Sequence, residues 1–160
     1  MSAPRLLFVC LGNICRSPLV EAVARRRCAE AGLDVMVASC GTGSWHVGKG
    51  TDARMRRAAE AAGFDLSGHR ARQLQRGDLE AFDLVLAMDR DNLYGVERLV
   101  TPQSTAETGL FLEWAAAAPP AEFPDPYYGQ EEGFTEAVAL AERGVAGLIR
   151  RLRGRQKKAK

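Results

Sequence analysis

The sequence predicts an α/β fold, with a single domain, a four-stranded parallel sheet, helices on both faces and a phosphate-binding loop after the first strand. Short apolar runs alternate along the chain with stretches of helical periodicity. Each run is too short for a helix but suits a buried parallel strand, and parallel strands need helical crossovers. The chain of 160 residues has the length of one domain and contains neither internal repeats nor a recognisable linker.

The first strand is predicted at residues 5–9, where the sequence reads RLLFV. A glycine-containing turn follows, and then a helix over 17–31. Ser17 is the expected N-cap, Pro18 fits the first helical position, and Gly32 ends the helix.

The remaining elements follow from the same signals. Thr51 is expected to cap the second helix, and a break is expected near Gly95. Residues 115–126, rich in alanine and proline, are predicted to be a loop. Strands are predicted at 34–39, 83–88 and 110–112, and helices at 51–62, 75–82 (short at best), 89–100 and 131–152.

The composition of the chain is that of a globular protein. Hydrophobic residues make up 46% of the chain and charged residues 26%, which is typical of globular proteins. No apolar run approaches the roughly 18–20 residues of a membrane span, and no cleavage site follows an apolar stretch near residue 1. We therefore expect a soluble, cytoplasmic protein.

Basic charge is concentrated at the C-terminus. Seven Lys or Arg residues lie within 150–160, which leaves 15 basic and 20 acidic residues in the remainder. A basic nucleic-acid-binding face is therefore not predicted, nor is a membrane partner. We interpret 1–153 as the domain and 154–160 as a basic tail. A solvated, frayed helix end is the commoner role of such a tail, and contact with RNA or anionic lipid stays an alternative.

The loop after the first strand, CLGNICRS at residues 10–17, carries the clearest chemical pattern. It leads into a helix N-terminus, where free N–H groups favour an anion. Gly12 and Asn13 tolerate the left-handed backbone that such a curled loop needs, and Arg16 can bind two oxygens with its planar guanidinium. The pattern predicts a phosphate site.

Cys10 stands at the entrance to this loop. Thiols near helix N-termini and cations ionise readily, and the thiolate is the nucleophilic form. Ser17 can donate a hydrogen bond to the sulfur. The alternative is that Cys10 is a buried core cysteine and that Gly12-Asn13 forms an ordinary turn.

The other cysteines do not suggest a metal site or a disulfide framework. Cys10 and Cys15 are separated by four residues, no second pair follows at zinc-finger spacing, and only two histidines are present. We expect no metal, no other cofactor and no structural disulfides.

Residues 9–18, VCLGNICRSP, resemble the active-site motif of the low molecular weight protein tyrosine phosphatases, and the resemblance extends over about residues 5–150. Further matching segments lie at 39–42, 45–48, 69–73, 88–92 and 125–129. One departure is Cys40, where the family usually has alanine. The resemblance implies metal-independent hydrolysis of phosphotyrosine and small aryl phosphates through a phosphocysteine. It also implies phosphotyrosine-containing protein substrates and a monomer.

The resemblance also assigns roles to individual residues. It makes Cys10 the nucleophile, Arg16 the phosphate ligand and Asp125 the general acid and then base. The residues that form or support the phosphate loop are Leu11, Gly12, Asn13, Ile14, Cys15, Ser17, Ser39 and His69, and the walls of the substrate groove are Trp45, Tyr127 and Tyr128. From the residues alone, an Asp-Pro pair more often marks a turn, and two tyrosines beside it more often pack against that turn.

Several alternatives remain at this stage. An arsenate reductase on the same scaffold needs two further cysteines, expected near 75–90, where there are none. A non-catalytic phosphate-binding module is the second alternative, and it is expected to lose the nucleophile or the acid. A nucleotide-binding reading of 43–49 fails because Gly50 stands where Ser or Thr is required.

Three further questions concern individual side chains. Cys15 either fills space under the loop or traps oxidised Cys10 as a disulfide. Asp89 is expected to cap a helix, with a possible effect on the pocket. Whether Tyr127 or Tyr128 is itself phosphorylated is left open.

Overall fold

The computed structural model describes residues 3–159 and has the predicted α/β architecture. Four parallel strands form one sheet in the order β2-β1-β3-β4, which confirms the predicted fold class. The elements in chain order are β1 Arg5–Cys10, α1 Arg16–Glu30, β2 Met36–Gly41, α2 Ala53–Ala61, α3 Asp78–Ala81, β3 Leu84–Ala87, α4 Arg90–Glu97, β4 Glu107–Leu110, α5 Phe111–Trp114 and α6 Glu131–Ala159.

The hydrophobic core lies on both faces of the sheet. Alternate side chains of β1 point to opposite faces, as the strand period of two requires. Leu6 and Phe8 pack in the larger cluster with α1, α2 and α6, and Leu7 and Val9 pack in the smaller one with α3 and α4. Because β1 is central and covered on both faces, Cys10 at its end is held at a fixed point of the sheet's C-terminal edge.

Two helix starts differ from the sequence prediction. Helix α1 begins at Arg16 with Cys15 as N-cap, so Ser17 lies inside the first turn instead of capping it. Asp52, not Thr51, caps α2, and its carboxylate accepts hydrogen bonds from the N–H groups of Arg54 and Met55. In both cases a residue with a good capping side chain stands within two positions of the true cap.

The predicted strand at 110–112 is wrong. Strand β4 is Glu107–Leu110, and the buried Phe111 and Leu112 already belong to α5. The edge strand is only partly buried, so the apolar signal marks the helix that follows it. Helix α4 is not broken at Gly95; a side chain there would press on Thr42, at 2.8 Å from its Cγ2.

The basic C-terminal segment continues α6 to Ala159, beyond the predicted end at 152. Its arginines contact the body of the fold. The Arg151 guanidinium lies 4.0 Å from the centre of the Trp114 ring, and Arg155 pairs with Glu107 at 3.0 Å. This part of the tail is therefore helical and not frayed, while residues 155–158 are exposed to solvent as expected. None of the helices within residues 3–159 has the length and apolar character to cross a membrane.

The cap of α2 gives a stability test. Asp52→Ala is expected to lower the free energy of unfolding by about 1 kcal/mol at neutral pH. Burial opposes the charge of Asp52, but hydrogen bonds from Arg54 and Met55 overcome it and lower the pKa of the carboxyl. The contribution is therefore fully present above the pKa of the unfolded chain, and it shrinks as the pH falls through the folded-state pKa.

Urea unfolding of wild type and variant between pH 7 and pH 3 measures this difference. Thr51→Ala is the matched control and should cost less than half as much, because the Thr51 hydroxyl makes only a 3.4 Å contact with the Leu66 carbonyl. A cost that is independent of pH, or equal for both variants, would contradict the assignment of Asp52 as the cap.

Candidate active site

A cavity of about 400 Å³ opens at the C-terminal edge of the sheet, beyond β1. It brings together the three predicted catalytic residues and the three predicted groove residues, which are far apart in the sequence. Its lining residues are Cys10, Leu11, Gly12, Ile14, Cys15, Arg16, Trp45, His46, Asp125, Tyr127 and Tyr128. The four other predicted support residues, Asn13, Ser17, Ser39 and His69, lie behind this surface.

Most carbonyl groups of the loop at residues 10–15 are turned away from the cavity towards the protein. Five of them accept hydrogen bonds there: Cys10 from Thr42, Leu11 from Gly43, Asn13 from His69, Ile14 from Asp52 and Cys15 from Leu19. In a trans peptide the N–H points opposite to the C=O. The N–H groups of residues 11, 12, 14, 15 and 16 are therefore directed to the cavity side, where they can bind an anion.

Asn13 holds this loop in shape from beneath. Its backbone is left-handed, with φ of 57°, and its side chain is completely buried. The side-chain amide donates to Ser17 Oγ at 2.8 Å and to Ser39 Oγ at 3.0 Å, while its Oδ1 accepts from the Arg72 N–H at 3.0 Å. The left-handed turn is thus fixed by three buried hydrogen bonds to three separate parts of the chain.

Two further contacts complete the support. His69 Nε2 lies 2.6 Å from the Asn13 carbonyl and donates to it. At Gly41 a Cβ would stand 2.6 Å from the Leu11 carbonyl oxygen, so only glycine allows β2 to pass this close beneath the loop. Both contacts lie on the side of the loop away from the cavity.

Cys10 and Ser17 meet at the floor of the cavity. The Cys10 Sγ is 3.0 Å from the Ser17 Oγ, and both residues are buried. Since Asn13 already donates to the Ser17 oxygen, the Ser17 hydrogen is free to point to the sulfur or to the Cys40 carbonyl, 3.3 Å away. A hydroxyl that donates to the sulfur stabilises a thiolate.

Arg16 is a buried cation with three partners. Its Nη1 donates to Asp89 Oδ2 at 2.8 Å and to the Phe123 carbonyl at 2.9 Å, and its Nη2 lies 3.6 Å from Asp125 Oδ2. Burial opposes the charge, but the nearby Cys10, Asp89 and Asp125 outweigh it and raise the pKa of the guanidinium above its usual value. Arg16 is therefore a fixed positive charge at the cavity.

Asp89 serves two purposes, of which the sequence clearly indicated only the first. Its Oδ1 accepts from the Asn92 N–H and caps α4, as predicted. Its Oδ2 accepts from Arg16 and so orients the guanidinium. An acidic residue two positions after a buried parallel strand is the signal for this second contact.

Asp125 lies across the cavity on an exposed segment between α5 and α6. About a third of its side chain is exposed, and its Oδ1 accepts from the Tyr127 N–H at 3.0 Å. The prolines at 124 and 126 restrict the backbone on either side. The carboxyl therefore stands beside Arg16 but still reaches solvent.

Aromatic residues form the walls of the cavity. The rings of Tyr127 and Tyr128 meet edge to face, with centres 4.9 Å apart. Trp45, which is 69% exposed, folds back over Gly43, where any side chain would overlap its ring. His46 also lines the cavity and lies against Gly12, a contact that the sequence analysis missed although His46 is adjacent to Trp45.

The sequence analysis also missed the role of Glu21. Glu21 lies in α1, and its carboxylate accepts a hydrogen bond from Ser39 at 2.5 Å. Ser39 in turn accepts from Asn13, so Glu21 belongs to the support of the loop. Its position one helical turn after Ser17 is the signal for this placement.

All four cysteines are unpaired and buried. Burial raises the pKa of Cys15 and of Cys40 well above the usual value. Cys40 packs in the smaller core cluster, on the face of the sheet opposite Cys10, where it fills a small apolar space. Cys15 lines the cavity with Cys10, a position that fits both filling space under the loop and trapping oxidised Cys10 as a disulfide.

Within residues 3–159 no group of three or more His, Cys, Asp or Glu side chains is placed to hold a metal ion.

Comparison with known proteins identifies relatives along nearly the whole chain. The family model "Low molecular weight phosphotyrosine protein phosphatase" matches residues 5–158. A low molecular weight protein-tyrosine-phosphatase of Streptomyces coelicolor is 41% identical and covers 93% of both chains. A low molecular weight phosphotyrosine protein phosphatase of Schizosaccharomyces pombe is 43% identical over 81% of this chain and 85% of its own. The crystal structure of a protein tyrosine phosphatase from Entamoeba histolytica superimposes with a TM-score of 0.90, at 34% identity, over 96% of this chain and 99% of that one.

Asn13 offers a test of how the loop is held. Asn13→Ala is expected to lower the free energy of unfolding by about 3 kcal/mol, because buried polar partners at Ser17, Ser39 and Arg72 lose their bonds. Asn13→Gly loses the same bonds but accepts the left-handed backbone, and should recover about 1 kcal/mol of that loss. Urea unfolding measures both values. Equal losses for the two variants would show that the left-handed conformation costs nothing here.

Proposed function

This chain belongs to the low molecular weight phosphotyrosine protein phosphatase family and acts as a protein-tyrosine phosphatase, and from that premise we propose the residues that carry out the reaction. Cys10 is the nucleophile, Arg16 binds the phosphate, and Asp125 is the general acid and base. The observation that supports this most directly is their convergence on one cavity whose floor presents the N–H groups of the phosphate loop.

In the first step the loop and Arg16 bind the phosphate group of the substrate. Backbone N–H groups and the α1 N-terminus favour the dianion. The Arg16 guanidinium, oriented by Asp89, offers its planar fork to two phosphate oxygens. Leu11 and Ile14 contact the aryl ring, and Trp45, Tyr127 and Tyr128 enclose it.

In the second step the Cys10 thiolate attacks phosphorus. A sulfur–phosphorus bond forms, the bond from phosphorus to the phenolic oxygen breaks, and its electron pair leaves with that oxygen. Asp125 donates a proton to the departing phenolate. The phosphate loop and Arg16 stabilise the charge on the phosphoryl oxygens during the transfer.

In the third step water hydrolyses the phosphocysteine. The Asp125 carboxylate takes a proton from the water, whose oxygen bonds to phosphorus as the sulfur–phosphorus bond breaks. Cys10 leaves as a thiolate, which the Ser17 hydroxyl stabilises at 3.0 Å. Inorganic phosphate is released and Asp125 is again protonated. Arg16 supplies the positive charge, so we propose a reaction that needs neither a metal nor another cofactor.

The structure gives the two alternatives little support. A reductase relay needs two further thiols within reach of Cys10; Cys15 lines the same cavity, but Cys40 lies on the opposite face of the sheet. A non-catalytic module needs no nucleophile beside an acid, whereas Cys10 and Asp125 both line the cavity.

The family implies phosphoprotein substrates. We further propose that the protein acts as a monomer in the cytoplasm, with neither nucleic acid nor membrane as partner. A reducing compartment would keep the unpaired Cys10 thiol active.

The covalent step is tested by Cys10→Ser. The serine hydroxyl has no base beside it and does not ionise at neutral pH, so turnover should fall below about 1% of wild type. Initial rates on p-nitrophenyl phosphate and on phosphotyrosine peptides, measured with EDTA present, check this, and circular dichroism confirms the fold. Residual activity well above that level would contradict a phosphocysteine on Cys10, and loss of wild-type activity in EDTA would contradict metal independence.

The general acid is tested by Asp125→Asn. Loss of an acid costs about 10²–10⁴-fold where the leaving group needs a proton. The kcat/KM for phosphotyrosine should therefore fall far more than that for p-nitrophenyl phosphate, whose phenolate departs readily. If both substrates lose activity equally, a different residue protonates the leaving group.

A further inference from the structure

The segment that carries Asp125 is attached to the rest of the protein on both sides of the acid. On the N-terminal side, the Phe123 N–H donates to the Met88 carbonyl at 2.8 Å, and the Phe123 carbonyl accepts from Arg16. On the C-terminal side, the Tyr127 carbonyl accepts from Arg54 Nη2 at 3.0 Å. The first attachment uses a residue of the catalytic machinery, and the second uses a residue of α2 outside the cavity.

Arg54 is held in place for this contact. Its Nε donates to Asp52 Oδ1 at 3.2 Å and its Nη2 to Asp52 Oδ2 at 3.1 Å, so the guanidinium plane is fixed by a two-point contact. The guanidinium also lies 5.3 Å from the centre of the Tyr127 ring and 4.6 Å from that of Phe134. Only about a third of the side chain is exposed.

Asp52, the partner of Arg54, is in turn bonded to the phosphate loop. The Asp52 N–H donates to the Ile14 carbonyl at 2.7 Å, one of the bonds that turn the loop carbonyls away from the cavity. A continuous chain of contacts therefore runs from Ile14 through Asp52 and Arg54 to Tyr127. We call this chain the Arg54 bridge.

The bridge ends one hydrogen bond from the acid. The N–H of Tyr127, whose carbonyl Arg54 holds, donates to Asp125 Oδ1 at 3.0 Å. Asp125 itself is exposed and lies in a segment without regular structure, so packing does little to fix its carboxyl. The direction of the carboxyl therefore depends on where Tyr127 is held, together with Arg16, whose Nη2 lies 3.6 Å from Asp125 Oδ2.

We propose that Arg54 is a positioning residue for leaving-group protonation: through the Arg54 bridge it holds the Asp125 carboxyl at a set distance from the phosphate loop. The proposal rests on Asp125 being the general acid. Proton transfer requires the acid within hydrogen-bond reach of the departing oxygen, and a misplacement of about 1 Å can cost up to about 100-fold. Arg54 does not touch the reacting atoms.

The purely structural alternative is that Arg54 only stabilises the packing of α2 on α6 through Phe134. Loss of packing would lower stability or impair both substrates alike. Loss of positioning would affect only the step in which Asp125 transfers a proton. Dependence on the leaving group therefore distinguishes the two roles.

Arg54→Ala tests the proposal, because it removes the guanidinium and leaves the backbone N–H that donates to the Asp52 cap. The kcat/KM for phosphotyrosine should fall about 10-fold, and that for p-nitrophenyl phosphate less than about 2-fold. Arg54→Lys keeps the charge but not the planar fork and should give an intermediate loss. Arg56→Ala is the matched control, since it removes an equal charge from α2 at a residue that faces Glu60; it should leave both values unchanged.

The same substitution in the Asp125→Asn background completes a double-mutant cycle. If Arg54 acts through Asp125, the additional loss on phosphotyrosine should be less than about 2-fold. Equal losses on both substrates, or a full 10-fold loss without the acid, would overturn the proposal. If Asp125→Asn alone shows no dependence on the leaving group, the assignment of the acid fails instead. Thermal unfolding of each variant verifies that the rates are those of folded protein.

Discussion

The phosphate loop can bind an anion because its carbonyl groups are satisfied on the side away from the cavity. A backbone carbonyl that faced the cavity would repel phosphate, and one buried without a partner would cost stability. The loop after β2 donates hydrogen bonds to two of these carbonyls, and the cap of α2, His69 and the first turn of α1 each donate to one. Much of the surrounding structure is therefore needed to keep one short loop in an inverted arrangement.

The same constraint explains which residues are small and which are buried and polar. Gly41 allows β2 to approach the Leu11 carbonyl, and Asn13 makes the left-handed turn while bonding to three neighbours. Glu21 extends the support by holding Ser39 from α1. These polar groups are buried at a cost that complete hydrogen bonding offsets, and the result is a loop that is preorganised before substrate arrives.

The two main charged groups of the site are held differently: Arg16 is buried and fixed, whereas Asp125 lies on an exposed segment. Arg16 is buried at the start of α1 and is oriented by Asp89, which α4 places at the end of β3. Asp125, the proposed general acid, must reach a leaving group that differs between substrates, and it lies on an exposed segment. An exposed acid is accessible to water for the second half of the reaction, but it then needs attachments at Phe123 and Tyr127 to keep its distance from phosphorus.

The sequence by itself determined the parallel α/β architecture and indicated the phosphate loop with Cys10 and Arg16, because these depend on local patterns: apolar runs with strand length, a Gly-Asn pair that tolerates left-handed backbone, and a thiol and an arginine at a helix start. Asp125 stands in no such pattern, since an Asp-Pro pair more often marks a turn, and only the resemblance to the family assigned its role. The sequence analysis misplaced the cap of α2, strand β4 and the end of α6. At each of these places packing decides where the element begins or ends, and the local sequence signal lies a few residues away from that position. Only the tertiary structure showed that Glu21, His46 and Arg54 belong around the site and that Asp89 orients Arg16. Charged and polar residues of these types are common on any surface, and their roles arise from partners 18 to 73 positions away in the chain, which no short-range pattern can indicate.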